Sequence, residues 1–408
     1  MTDIEQAVQI ARAIGDNRLE MLALRELGGE IPTALGGSVA DCIGHLERGL
    51  VLATSLSDRT MQADTQGWLA ILAANGLRFS ESVRYGESAV RAARASGDSE
   101  ALAAALDGRK TSLAYIGEVD QLQDVIDELD PLLRRLGDLF RLHWAVFESS
   151  FGAIARGDWT TASDRIKAAL EVQRQSGYTA YAGWHVAHLG WLARLQGRVD
   201  DALEFGRRAL ELCEEAPHVW CTAAAGGLLG ATLLEIGERQ AAIGVLERAR
   251  AAAEQEGAEA YVLRCAAPLA EATGSLDVLL EADALIGGIT APERSAFLAG
   301  DWCYLAVARA WLAQGEPERA RAVLAPLLVA AQRCGWVAAL AGASAVDGRA
   351  AAMLGLDDEA SGQFARAREL AQRHGLLGIE REATTSGRQR SSAILPAARR
   401  APSRSTGR

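Results

Sequence analysis

Lysine is nearly missing from this 408-residue chain: of 42 basic residues only Lys110 and Lys167 are lysine. Acidic residues outnumber basic ones, and the net charge of −11 argues against a general nucleic-acid surface. Only nine prolines are present, so long helices meet few breaks. The six cysteines, Cys42, Cys213, Cys221, Cys265, Cys303 and Cys334, form no C-x-x-C. That excludes a zinc knuckle or a redox pair and leaves small, reduced, buried residues. No stretch reaches the ~18 apolar residues that cross a bilayer, and the opening MTDIEQAVQI has no basic leader region. The chain therefore reads as soluble and cytoplasmic, with no membrane contact and no direct nucleic-acid contact.

Catalytic signatures are also missing. Gly108-Arg109-Lys110-Thr111 lacks the adjacent G-K-[ST] of a phosphate loop and falls inside an expected helix. His185 and His188 are spaced to share a helix face, but no third metal ligand is in phase. One of the two is expected to pack inside and the other to be exposed. Asp200-Asp201 and Asp357-Asp358 follow turn glycines and suit helix N-termini, where the dipole favours negative charge. The expectation is a protein that is not an enzyme and holds no cofactor.

Glycine is plentiful, and it is periodic. Gly97, Gly137, Gly177 and Gly257 share one forty-residue register, and Gly117, Gly157, Gly197 and Gly237 share another offset by half a period. The pattern resumes at Gly315, Gly335, Gly355 and Gly375. Glycine ends helices in the left-handed region, so two interleaved series mean two turns per unit. Each unit is then a helix–turn–helix, and the array a solenoid. Between the glycines, apolar residues recur at i, i+3, i+4 and i+7, as in AHLGWLARLQG and VDDALEFGRRALELC. Small residues, Gly190, Ala202 and Ala209 and then Gly230, Ala242 and Ala249, stand where paired helices must approach closely.

This L-G, turn glycine and paired-alanine pattern resembles the tetratricopeptide repeat (TPR) family over about residues 140–255 and 300–375. It is weaker from 17 to 139, where Leu122 and Leu129 replace the alanines. The lengthened units are similar to the helical arms of bacterial MalT/LuxR-type signalling ATPases. The resemblance implies an all-α, right-handed superhelix, a TPR-like α-solenoid of about nine helix pairs. It implies a binding arm for a protein, a peptide or a small apolar effector in signalling or transcription regulation. The alternative is a structural spacer or inhibitory arm with no external ligand.

The expected organisation is an unpaired helix over 1–16, a TPR-like array over 17–257, an irregular short repeat and loop over 258–300, a second array over 301–382, and a disordered basic tail over 383–408. The first helix opens with a Thr2/Glu5 capping box and carries Ile4, Val8 and Ile10 as an apolar stripe. The loop near Gly287–Arg294 is a candidate hinge. The tail holds six arginines and no acid.

One aromatic cluster stands out. Trp144, Phe147 and Phe151 fall on one face of a first helix, and Trp184, His188 and Trp191 on the next. Ala224, Gly227 and Ala231 would offer a small-residue floor, and Asp107, Thr111 and Tyr115 polar handles. Two readings stand: a ligand groove walled by rings, or ordinary inter-repeat core.

Overall fold

The computed structural model describes residues 2–29, 38–216 and 218–384. Among them the chain is all helix, with one isolated bridge and no strand. Helices alternate between two kinds. Inner ones, such as Ser99–Ile116, Ala182–Leu195, Val219–Glu235 and Val337–Met353, are apolar nearly all round and buried along most of their length. Outer ones, such as Val119–Leu136 and Val199–Glu215, bury one stripe and turn charged residues outward. A two-layer superhelix follows, because only an all-apolar helix gains from being covered on both sides.

The turns fall where the glycine register puts them. Gly117, Gly157, Gly197, Gly237, Gly315 and Gly355 all have positive φ, as do the members of the other series. Asp200 and Asp201 occupy the first turn of one helix, and Asp357 and Asp358 that of another. The helix pairs also meet at the small residues: a Cβ on Gly230 would lie 2.4 Å from the Leu246 side chain.

The first helix, Thr2–Ile14, packs on Asn17–Gly28 through Val8 and Ala11, with Ile4 partly covered. Ile10 belongs to the opposite face and is exposed, one residue out of the expected stripe. The Thr2 side chain lies outside the described residues, as do 385–408 with most of the expected tail. The start of that tail is not free. Residues 377–384 are helical, Ala383 is fully buried, and Glu382 pairs with Arg309 at 2.7 Å.

The segment between Gly287 and Asp301 turns inward. Thr290 exchanges main-chain hydrogen bonds with Leu77 and Ser80, at 3.1 and 2.9 Å. Phe297 then seats its ring 5.3 Å from Phe79 and 5.6 Å from Tyr115. A segment expected as a hinge is thus tied to helices some two hundred residues earlier. The late repeats also lie against the turns of earlier ones. The Trp159 indole donates to the His374 carbonyl at 2.6 Å, Leu298 and Trp336 crowd Gly117, and Leu377 crowds Gly197. The superhelix therefore closes on itself and packs much of its own interior.

Candidate functional site

The interior is a continuous ring cluster. Trp184 has Trp144 at 5.6 Å, His188 at 4.8 Å and Tyr261 at 5.8 Å between centroids. Trp220 stacks flat on Tyr261. Phe147, Phe151, Trp184, His188 and Trp191 are buried, with Asp107 and Tyr115; Trp144 is half-buried. The helix carrying Trp144, Phe147 and Phe151 is interrupted at Ser149, whose carbonyl accepts from Arg165 at 2.6 Å.

Two cavities flank this layer. The smaller, about 60 Å³, is lined by every expected site residue except Trp191, including Thr111. The larger, about 330 Å³, has Trp191 and Trp302 on one wall and Gly378, Ile379 and Glu382 on another. The expected small-residue floor is divided. Ala231 lines the larger cavity, but Ala224 and Gly227 line neither of the two. Gly227 instead receives the next inner helix, since a Cβ there would stand 2.8 Å from the Arg264 carbonyl oxygen. The missing side chain lets the Glu259–Thr273 helix come close enough to project Arg264 into the ring cluster.

Arg264 is the charged centre of the interior. Its guanidinium carbon lies 5.2–5.7 Å from five rings: Tyr115, Trp184, Tyr261, Phe297 and Trp302. One nitrogen donates to the Ala299 carbonyl at 3.3 Å, and Nε and Nη1 find no partner among the described residues. Removing such a cation from water costs several kcal/mol. Cation–π contacts return about 0.5–2 kcal/mol each, so the rings offset much of that cost without using the donors.

Lys110 is arranged differently. Its ammonium touches Asp107 at 2.9 Å and Glu148 at 2.7 Å. Burial opposes its charge, but the two carboxylates prevail and hold its pKa above the ordinary value. Burial pushes Glu148 upward, against the pull of Lys110. The Gly108–Thr111 segment thus lies in mid-helix, with Lys110 committed to an internal ion trio.

Four of the six histidines, His143, His185, His188 and His218, are buried. His185 meets His143 at 3.2 Å, and His188 contacts the Trp184 carbonyl at 2.8 Å. The expected exposed member of the His185/His188 pair does not exist; both are buried. Burial depresses His143 and His188 to about 3, so both are neutral. No group of three metal-ligating side chains occurs among the described residues. None of those helices is long and apolar enough to cross a membrane.

Sequence reasoning passed over Arg264, Phe297 and Trp302. A signal for Arg264 was present. The forty-residue register that links Trp144, Trp184 and Ala224 reaches Arg264 next, so a lone charge stood at an interior position. Phe297 lies in the irregular stretch over 258–300, and Trp302 in the first turn of the helix that opens the second array.

This architecture has relatives. The family description MalT-like TPR region matches residues 68–377, and the chain belongs to that family. The match takes in 68–139, part of the 17–139 stretch where the repeat pattern is weaker. A Rap protein complexed with competence and sporulation factor shares the fold with a TM-score of 0.57 at 14% identity. The comparison covers 82% of this chain and 96% of that one. A signal transduction ATPase with numerous domains and a tetratricopeptide repeat sensor, from Pyrococcus horikoshii, gives 0.47 at 12% identity. There, 80% of this chain spans 49% of the other. Aspartyl phosphate phosphatase F from Bacillus subtilis gives 0.40 at 14%, over 84% and 95%. No curated protein matches the chain.

Proposed function

We propose that the chain is a non-enzymatic sensing module of a bacterial signalling system, and that its effector enters the larger interior cavity. The observation that carries this is the cavity itself. A spacer gains nothing from leaving about 330 Å³ unfilled between otherwise closely packed helices. The cavity combines an apolar wall, Trp302, Leu305 and Ala306, with opposed charges from Arg194, Arg309 and Glu271. That mixture suits an amphipathic ligand with both signs of charge, such as a short peptide. The Rap protein of similar fold, found complexed with competence and sporulation factor, supports a binding role for such a superhelix.

The helix 377–384 forms one wall, so occupancy can be felt at the C-terminal end of the array. A library of short peptides should contain members that raise the melting temperature and alter tryptophan emission. Ala306→Phe, which fills the cavity, should abolish the response. Peptides that act equally on the wild type and Ala306→Phe would sink the assignment, as would a library with no hit.

A further inference from the structure

We propose that Arg264 anchors a second, smaller site that takes a compact carboxylate. This goes beyond the effector reading above, because it concerns the other cavity, and either can fail alone.

Arg264 is 2% exposed, lines the cavity of about 60 Å³, and makes no ion pair among the described residues. The acids of the same cavity are already used: Asp107 and Glu148 both turn to Lys110. Other residues lining the space carry buried donors that have no partner among the described residues. Arg264 offers Nε and Nη1, Trp184 offers its indole N–H, and Asn75 offers its amide nitrogen. Asn75 is oriented by Tyr115, whose hydroxyl donates to its carbonyl oxygen at 3.1 Å. Unpartnered donors around one small space, with its acids already paired, favour an anion, and a planar guanidinium fork favours a planar carboxylate.

Size narrows the class. The cavity is less than half the ~150 Å³ that admits benzene, so the ligand has only a few heavy atoms beyond its carboxylate. Phe147 and Trp144 supply an apolar wall for a short alkyl tail. Acetate and propionate fit this description. The carboxylate can belong to a free short-chain acid or to the terminus of a peptide that reaches inward.

The test is calorimetric titration of the full chain with sodium propionate, with propionamide as the uncharged control. Saturable binding in about the millimolar range is expected for propionate, as suits so few atoms, and none for the amide. Arg264→Met keeps length and apolar bulk and should abolish binding. Trp184→Phe keeps a ring but loses a donor and should weaken binding about tenfold. It serves if Arg264→Met does not fold. A tripeptide with a free C-terminus, compared with its amidated form, separates the two sources. Ala306→Phe should leave propionate binding intact. No saturable binding of propionate or the tripeptide would show that the cavity holds only water, and binding unchanged in Arg264→Met or Trp184→Phe would equally overturn the site.

Discussion

Replacing Phe297 by alanine tests whether the superhelix is closed. The ring is fully buried and belongs to a segment that reaches back to Phe79 and Tyr115. Burying a phenylalanine stabilises by about 1.5–3 kcal/mol. Two ring pairs add about 0.5–1.5 kcal/mol each. The expected loss is therefore about 3–5 kcal/mol, the usual range for this truncation in a packed core. Urea denaturation at equilibrium measures it. Location matters as much as size. In an open solenoid each repeat feels only its neighbours, so the damage would stay near residue 297. In a closed one, amide exchange should quicken in Phe79–Ser96 and Ser99–Ile116 as well. A loss under about 1 kcal/mol, typical of surface sites, would refute the closure argument. So would unchanged protection in those two helices.

Three further outcomes follow from the packing. Stability should peak between about pH 6 and 7. His143, His188 and His218, depressed by burial to about 3, 3 and 4 from 6.5, stabilise fully above pH 6.5 and lose that contribution as pH falls, with His185 moving the same way. Glu256 and Asp301, raised by burial to about 8 and 7, act oppositely as pH rises from 4.5 and 3.8 through those values. Near pH 5 the three histidines with these values outnumber the two acids by one, so the net loss is at most about 1.4 kcal/mol per pH unit, and the raised Glu148 and Glu271 reduce it. A melting temperature flat from pH 5 to 7 would contradict this. Gly227→Ala should cost about 1–3 kcal/mol, because its Cβ meets main chain that cannot step aside; a neutral result in chemical denaturation would show that the helices can separate there. Glu382→Ala removes the partner of Arg309 and Arg349, which are partly buried, and should cost about 1–3 kcal/mol while loosening 377–384 to exchange. Unaltered protection in that helix would mean that Ile379 and Ala383 hold it alone.

What the sequence determined by itself is the repeat. The register of turn glycines and the i, i+3, i+4 spacing are local quantities, and they set most of the helix ends that a left-handed glycine closes. The inner and outer helices were separable too, since a helix apolar all round has to be covered on both sides, and the ring cluster was visible as aromatic spacing. Tertiary structure alone decided how the turns of the superhelix meet. Small rotations between repeats accumulate over hundreds of residues, and no local pattern records their sum. That sum brings Trp159 to His374, drives Phe297 between Phe79 and Tyr115, and buries Ala383. It also sets the electrostatics. Lys110 is neutralised by a residue thirty-eight positions on, while Arg264, equally buried and ringed by aromatics, is left without an acid among the described residues. Whether a buried charge is paired depends on which distant helix arrives beside it, and only the folded chain fixes that.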